Sequence, residues 1–173
     1  MVKTNDSQTM IEIIRLYSDY AAAVDAAQWD TWVEFFAEDC EYKIQPRENY
    51  ERGFPLATLA LLSKNMLKDR VYGIHETLYH DPYYQRHVVG LPTIREDKDG
   101  VIVSEANYAV FRTKLSGEST VFNVGRYLDK IRREDDELKF VSRLCIYDSE
   151  MIPNSIIYPI CSDLTLVKNE SVS

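Results

Sequence analysis

The sequence has few of the residues that hold metals or form disulfides. Its 173 residues include only three cysteines and three histidines. Cys40, Cys145 and Cys161 are far apart, so no two of them have the spacing of a zinc site or a redox motif. This excludes a disulfide framework, and we expect all three thiols to be reduced.

The histidines do not form a recognisable ligand set either. His75, His80 and His87 include no pair with cysteine at the spacing of an iron–sulfur site. A five-residue offset turns His75 and His80 towards poorly aligned faces of a helix, and a two-histidine, one-carboxylate iron site needs convergent side chains. The sequence therefore predicts no metal or redox centre on this chain.

Several other signatures are missing. No apolar run approaches the roughly 20 residues of a membrane span, and Met1–Asp6 does not have the charged-then-apolar character of a secretion signal. We therefore expect a soluble protein in the cytoplasm. The glycine motifs of dinucleotide and nucleotide sites and the serine-hydrolase elbow are also absent.

The charge is strongly acidic and unevenly placed. The net charge is −8, and residues 1–41 hold nine acids against two bases, which gives −7 for that segment and −1 for the rest. An acidic N-terminal segment repels phosphates, so a nucleic-acid partner is excluded. The simplest interpretation is a solvated helix face, although such a surface could also steer a basic partner.

Tyrosine is abundant, with 12 Tyr against 6 Phe and 2 Trp. A tyrosine ring is apolar but ends in a hydroxyl, which suits pockets, subunit interfaces and the wet margins of a core.

The first half of the chain, about residues 5–76, has helical periodicity. Thr9 and Glu12 have the spacing of a capping box. Two helices are predicted, with apolar stripes at Met10, Ile13, Ile14, Tyr17, Ala21 and Val24, and at Trp29, Trp32, Val33 and Phe36. Residues 40–45 alternate as in a strand, 47–55 predict a polar loop, 56–63 are ambiguous between strand and helix, and 65–76 predict a helix.

The second half, about residues 85–150, has the alternation of strands. The predicted strands are 85–95, 101–113, 120–133 and 138–148, joined by polar turns such as Asp97–Gly100. Residues 151–173 form a C-terminal tail. No repeat or linker interrupts the chain, so we expect one domain, 1–173.

Helices followed by long antiparallel strands predict an α+β fold in which helices pack on one face of a mainly antiparallel sheet. Strands this long must twist and curve. A strongly curved sheet closed by N-terminal helices makes a cone with a pocket inside.

Two groups of residues are candidates for function. Proton chemistry inside the cone would use Tyr17, Tyr20, Asp25, His75 and His87, because a buried aspartate or histidine with a shifted pKa can act as a general base. The same residues could instead only brace the rim of the pocket. The loop residues Arg47, Glu48, Asn49 and Arg52, together with Arg70, Tyr83, Tyr84 and Arg86, are candidates for a subunit interface or for an ordinary surface.

Several segments resemble one known family. This family is the small (β) subunits of aromatic-ring-hydroxylating dioxygenases. The similar segments are Tyr17-x-x-Tyr20 with Asp25, the run from Trp29 to Tyr42, Ile44-Gln-Pro-Arg-Glu-Asn49, Met66–Tyr72 and His80–His87. The similarity covers nearly the whole chain, and the Pro-Arg-Glu-Asn segment is its most specific element. The branch that acts on aromatic acids, such as salicylate, anthranilate or terephthalate, is the most similar.

The resemblance implies the nuclear-transport-factor-2-like (cystatin-like) cone that is also found in scytalone dehydratase and ketosteroid isomerase. It implies a hexamer of three α and three β subunits, in which the Rieske iron–sulfur cluster and the mononuclear iron belong to the α subunit and electrons come from NADH through a reductase. This chain would then be a structural subunit of an oxidoreductase, inactive alone, that self-associates as a trimer, and it would have no catalytic residue of its own.

Two other functions stay open at this point. The first is a stand-alone dehydratase or isomerase of the cone fold that uses the Asp/His/Tyr set. The second is a cone that binds a ligand without activity.

Overall fold

The structure is a computed structural model, and it describes residues 4–76, 83–115 and 117–149. In chain order the elements are α1 (Thr4–Asp25), α2 (Trp29–Glu34), β1 (Phe36–Pro46), α3 (Arg47–Glu51), β2 (Leu59–Leu61), α4 (Lys64–Glu76), β3 (Tyr83–Val89), β4 (Thr93–Lys98), β5 (Val101–Lys114), β6 (Ser119–Glu134) and β7 (Glu137–Tyr147). None of the described helices combines the length and the apolar character needed to cross a membrane.

The strands of the described residues form one seven-stranded sheet. Its order is β2-β1-β7-β6-β5-β3, and β4 pairs with the other half of the β5 edge that β3 occupies. All pairings are antiparallel except that of β1 with β7. Helices on one face of a curved, mainly antiparallel sheet confirm the predicted α+β class.

Helix α1 buries one side against the inner face of the sheet. Ile13, Tyr17, Ala21 and Val24 are buried as the periodicity predicts. Ile14 is exposed, because the buried stripe runs through Leu16 and Tyr20 instead. The predicted capping box is wrong: the helix begins at Thr4, so Thr9 lies inside it and Glu12 makes an ion pair with Arg133.

The second predicted stripe is confirmed. Trp29, Trp32, Val33 and Phe36 are all buried. Trp32 packs edge-on against Phe36 and Tyr42, with ring centroids 5.4 and 5.7 Å apart. Such tilted contacts between aromatic rings are favourable beyond the area that they bury.

Three boundaries differ from the prediction. Strand β1 begins at Phe36 instead of residue 40, and an irregularity follows Phe36 in its pairing with β7. The predicted loop 47–55 contains helix α3, which Pro46 precedes with extended backbone and in which Arg47 pairs with Glu51 one turn later. The ambiguous segment 56–63 contains strand β2.

The predicted strand 85–95 is two strands. Residues 90–92 break it, and β3 and β4 each pair with a different half of β5. Pro92 lies in the break, as expected of a residue that cannot donate to a ladder.

A bulge in β7 determines which of its side chains point to the inner face of the sheet. Lys130 pairs with Ser142 and Ile131 with Phe140, which leaves Val141 as the extra residue. A bulge shifts the alternation of side chains by one position. Leu138 and Phe140 therefore point inward before it, and Arg143, Cys145 and Tyr147 point inward after it.

Candidate functional site

The inner face of the sheet carries a buried arginine. Arg143 on β7 donates to both carboxylate oxygens of Asp129 on β6, with Nε–Oδ1 and Nη2–Oδ2 distances of 3.1 and 2.9 Å. Both side chains are fully buried. Two parallel bonds of this kind are the geometry in which a guanidinium and a carboxylate interact best.

Aromatic rings surround this pair. The guanidinium carbon of Arg143 is 4.0–4.8 Å from the ring centroids of Tyr17, Tyr20, Tyr127 and Phe140. We call these six residues, Arg143, Asp129, Tyr17, Tyr20, Tyr127 and Phe140, the arginine centre. Cation–π contacts are strongest where water is excluded, as it is here.

Burial shifts the ionisation of these groups. Burial raises the pKa of Asp129 above its ordinary value, against the opposing attraction of Arg143. Burial and the nearby Asp129 carboxylate raise the pKa of Tyr17, whose hydroxyl also lies 3.2 Å from Ser104 Oγ. Tyr17 is therefore a neutral hydrogen-bonding group at ordinary pH and not a ready proton donor.

More rings fill the same face. Tyr108 stacks on Tyr127 with centroids 4.3 Å apart, and its hydroxyl donates to Asn123 Oδ1 at 2.6 Å. Because Tyr17 and Tyr20 pack on Arg143, the part of the inner face around Arg143 is occupied by side chains of the protein.

Asp25 and His87 do come together. Asp25 ends α1, and its Oδ1 lies 2.7 Å from His87 Nδ1 on β3. The carboxylate also accepts from the backbone N–H of His87, at 3.0 and 3.2 Å. The side chains of Asp25 and His87 are 8% and 1% exposed.

This pair ties a helix end to an edge strand. β3 lies at the edge of the sheet, where unpaired backbone N–H groups can recruit another strand, and Asp25 accepts a hydrogen bond from one of them.

The same pair lies beside a groove of about 500 Å³ between α1 and residues 86–92. An imidazole with a carboxylate on one nitrogen is also the arrangement of a general base. The contacts of the pair favour an anchor, since the carboxylate already accepts from the backbone N–H of His87 and the imidazole is buried.

His75 does not belong to this group. It is exposed in the last turn of α4. Of the predicted catalytic set, Tyr17, Asp25 and His87 line one groove of about 500 Å³. Tyr20 packs on Arg143, as Tyr17 also does, and His75 lies on the surface. His80 lies outside the described residues.

The predicted interface residues are spread over three places. Arg47, Glu48, Asn49 and Arg52 lie on or next to α3, where Arg52 pairs with Glu48 and Asn49 donates to the carbonyl of Leu56. Arg70 is half-buried on α4, and burial lowers its pKa. The third place is β3, which carries Tyr83, Tyr84 and Arg86.

The side chains of β3 alternate between the two faces. Tyr83 faces inward beneath the guanidinium of Arg112, 5.5 Å from the ring centroid, whereas Tyr84 and Arg86 are exposed on the outer face.

Sequence reasoning missed the arginine centre. Arg143 stands in a strand pattern between Ser142 and Leu144, where a charged residue is ordinarily assigned to the solvent face. Nothing in the pattern marks the bulge at Val141. The one available signal was that Asp129, in the neighbouring strand, stands between the apolar Tyr127 and Ile131 at alternate positions.

The described residues contain no group of three histidine, cysteine, aspartate or glutamate side chains that could hold a metal ion. Cys40 and Cys145 are free and buried, and burial raises the pKa of their thiols to about 11 and about 12. Cys161 lies outside the described residues.

Known structures share this fold. A scytalone dehydratase-type protein of Novosphingobium aromaticivorans matches with a TM-score of 0.66 at 18% identity, covering 90% of this chain and 95% of its own. The fold thus defines a nuclear-transport-factor-2-like cone, the class that the sequence resemblance implied.

Proteins that are similar in sequence indicate a narrower class than the fold does. The small subunit of anthranilate 1,2-dioxygenase from Burkholderia cepacia is 34% identical over 91% of this chain and 98% of its own length. A β subunit of the terminal oxygenase component of terephthalate 1,2-dioxygenase from Comamonas sp. is 29% identical, over 87% of this chain and 97% of its own.

A solved structure assigned as the β subunit of an aromatic-ring-hydroxylating dioxygenase, from Novosphingobium aromaticivorans, has a TM-score of 0.81 and 28% identity. It covers 92% of this chain and 99% of its own. The family model of the ring hydroxylating beta subunit matches residues 20–154. The chain belongs to this family, so the recognition made from the sequence is confirmed, as is the prediction of a small subunit of a ring-hydroxylating dioxygenase.

Proposed function

We propose that this chain is the non-catalytic β subunit of a cytoplasmic dioxygenase that hydroxylates an aromatic acid, and that it assembles with an α subunit as an α3β3 hexamer. The observation that carries the non-catalytic role is the arginine centre, which occupies the inner face of the sheet around Arg143 with an ion pair and aromatic rings. An active cone needs an open pocket with accessible acid and base groups.

The division of labour between the two subunits follows from where iron ligands can be found. Ring hydroxylation by this family requires iron, and the described part of the chain offers no set of three ligands for it. We place the Rieske cluster and the mononuclear iron on the α subunit, so this chain contributes shape and stability to the assembly. The choice of an aromatic acid is supported by the anthranilate and terephthalate relatives.

The test is to purify the tagged full-length chain from its native host and from a host that lacks its partner. We expect the native preparation to contain a larger iron-bearing subunit in fixed ratio, and to hydroxylate an aromatic acid such as anthranilate when NADH and reductase are supplied. The chain alone should be colourless and inactive. Stoichiometric iron on the isolated chain, or turnover by it, would overturn the proposal.

One observation favours a second function. The Asp25–His87 pair beside the groove of about 500 Å³ is the arrangement that a stand-alone dehydratase or isomerase would need. In that case the pair would act as a general base and its loss would abolish activity. The two functions therefore differ in what a conservative change of Asp25 and His87 does to turnover.

A further inference from the structure

Three polar side chains lie together on the inner face of the sheet. Gln85 of β3 lies directly opposite Arg112 of β5, and Asn123 of β6 lies opposite Val110, two residues before Arg112. Opposite residues of paired antiparallel strands project from the same face with their Cβ atoms roughly 5 Å apart. The three side chains are therefore neighbours, and we call Gln85, Arg112 and Asn123 the amide cluster.

The glutamine of this cluster is buried without a partner. Gln85 is 2% exposed, and within the described residues neither its Nε2 nor its Oε1 makes a hydrogen bond. A buried amide that is left unpaired costs free energy, and most buried polar groups in proteins have a partner. Both a donor and an acceptor of Gln85 are thus available to a molecule that enters the cluster.

The asparagine adds a second free donor. Asn123 is 2% exposed, and its Oδ1 accepts from the hydroxyl of Tyr108 at 2.6 Å. That bond fixes the orientation of the amide. Its Nδ2 has no hydrogen-bond partner in the described part of the chain, so the N–H groups of Asn123 are also available.

Arg112 brings a positive charge to the cluster. Its guanidinium carbon lies 5.5 and 5.0 Å from the ring centroids of Tyr83 and Phe122. Its Nε is buried without a hydrogen-bond partner, and no carboxylate of the described residues pairs with it. Arg143, by contrast, binds the Asp129 carboxylate through two parallel hydrogen bonds. The charge of Arg112 is therefore left for a ligand to neutralise.

The cluster lies beyond the end of helix α1. That helix ends at Asp25, which contacts His87, and it packs along residues 86–92. Gln85 is two residues before His87 on β3, so the amide cluster lies past the part of the strand along which α1 packs. Arg112 is half-buried there. Its guanidinium can be reached from solvent, whereas the two amides lie deeper.

These groups define the chemistry of a ligand. The fork of N–H groups on a guanidinium matches a planar carboxylate, and the free amide N–H groups of Gln85 and Asn123 are further donors to it. The rings of Tyr83 and Phe122 provide apolar surface for a flat organic body. The remaining acceptor, Gln85 Oε1, requires a donor on the ligand.

We propose that the amide cluster is a binding site for a small aromatic carboxylate that carries a hydrogen-bond donor. The carboxylate pairs with Arg112, the aromatic ring packs against Tyr83 and Phe122, and the donor binds Gln85 Oε1. No member of the cluster can accept a proton at neutral pH, because a guanidinium stays charged and amides stay neutral. The site therefore binds without catalysing, a role that goes beyond the proposed structural function and does not depend on it.

The experiment measures the binding of three probes to the isolated full-length chain by titration calorimetry. The probes are benzoate, its neutral analogue benzamide, and 3-hydroxybenzoate, which adds a donor. Arg112→Met and Gln85→Leu alter the cluster. The matched controls are Arg95→Met, since Arg95 is 59% exposed, and Gln8→Leu, since Gln8 is exposed on α1. Thermal melting without a probe verifies that each variant is folded.

We expect the wild-type chain to bind benzoate about tenfold or more tightly than benzamide, the effect of a hydrogen bond to a charged group. It should bind 3-hydroxybenzoate more tightly than benzoate. Arg112→Met should abolish the first preference and Gln85→Leu the second, whereas Arg95→Met and Gln8→Leu should retain both. Gln85→Leu should not lower the melting temperature, because the amide that it removes has no partner to lose.

Three binding results would overturn the proposal: no binding of benzoate at millimolar concentration, equal effects of Arg112→Met and Arg95→Met, or inorganic phosphate bound as tightly as benzoate. A Gln85→Leu chain that melts well below wild type would also contradict it, because the amide would then be satisfied within the protein. The isolated chain is measured without a partner, so failure of this site leaves hydroxylation by an assembled dioxygenase untouched.

Discussion

The ion pair between Arg143 and Asp129 lies among aromatic rings, with no exposed surface on either side chain. Desolvation of two charges is costly, and such a pair repays that cost only with good geometry and further contacts. Here the two parallel hydrogen bonds and the four rings supply them.

We predict that Arg143→Met lowers the free energy of unfolding by about 3–5 kcal/mol, because it leaves the Asp129 carboxylate buried without a partner. Asp129→Leu should have an effect of the same order, and the double variant should cost less than either single change. Urea denaturation followed by circular dichroism measures all three. The exposed pair Arg132–Asp39 is the control, and its removal should change stability little. Additive costs in the double variant would contradict the pairing.

The thiols give a second prediction at this scale. Burial raises the pKa of Cys145 to about 12 and that of Cys40 to about 11, so the reactive thiolate is scarce at neutral pH. We expect iodoacetamide to leave both unmodified in the native chain and to alkylate both after unfolding, as read by peptide mass spectrometry. Rapid native alkylation of Cys145 would contradict its placement in the core.

Prediction from sequence at the residue scale succeeded where one face of an element is uniformly apolar. Trp29, Trp32 and Val33 follow helical periodicity and are buried. It failed at Arg143, because the bulge at Val141 reverses the alternation and because a buried charge is stabilised by partners far away in the chain. His75 was also placed wrongly, since a helical position alone does not tell which face meets the sheet.

At the scale of elements, β6 and β7 approach closely at Gly125. A Cβ at this position would lie 2.0 Å from the carbonyl oxygen of Ile146 and 2.8 Å from Tyr147 Cα. Because both contacts are to backbone, no side chain can move aside. Glycine is therefore required at this position of β6, opposite Tyr147 of β7.

We predict that Gly125→Ala lowers the free energy of unfolding by about 3 kcal/mol through this overlap. Gly117→Ala is the matched control, because its Cβ would meet only Lys114 Cβ at 3.6 Å, an ordinary contact. The difference between the two variants in urea denaturation isolates the clash. Equal stability of both would show that the strands can separate locally without cost.

The elements themselves were largely predictable. The long strands β5, β6 and β7 and helix α4 lie within two residues of their predicted bounds, since their patterns are long and their turns polar. Helix α3 was missed because five residues carry too little periodicity. The split of β3 from β4 was missed because both halves are extended and differ only in which part of β5 they pair with.

Alternation predicts that Phe122, Val124 and Leu128 of β6 share a face. Val124 and Leu128 do share one, the outer face, but a bulge at Phe122 places its ring on the inner side, 5.0 Å from the guanidinium carbon of Arg112. The inner positions are Asn123, Gly125, Tyr127, Asp129 and Ile131. Alternation shows that two faces differ and not which one is buried. Here the polar Asn123 and Asp129 face inward, where Asn123 Oδ1 accepts from the Tyr108 hydroxyl and Asp129 pairs with Arg143. Val124 is left on the surface.

At the scale of the whole molecule, the family was predictable because sequence segments along the chain match it, whereas the surfaces used for assembly were not. A surface that binds another subunit has no sequence period of its own. The exposed apolar residues Val88, Phe111, Val121 and Val124 come together on the outer face only when the registers place β3, β5 and β6 side by side. The interface residues predicted from the sequence include the exposed Tyr84 and Arg86 of β3 but none of the apolar residues that lie beside them on β5 and β6.

We propose that this chain supports a catalytic partner without doing chemistry itself. The Asp25–His87 pair is the part of the chain at which this proposal can be tested most directly. Asp25→Asn with His87→Asn removes the carboxylate and the imidazole while retaining groups that can hydrogen bond. Some loss of stability is expected, about 1–3 kcal/mol, because the pair anchors α1 to β3. The exposed His75→Asn is the control.

The decisive measurement is hydroxylation of an aromatic acid by the reconstituted complex that contains the double variant, normalised to assembled hexamer with its iron content verified. We expect turnover within several-fold of wild type and equal to that of the His75→Asn control, because a structural subunit contributes no proton transfer. A loss of about a hundred-fold or more, the cost of removing a general base, with the hexamer and its iron intact, would contradict it.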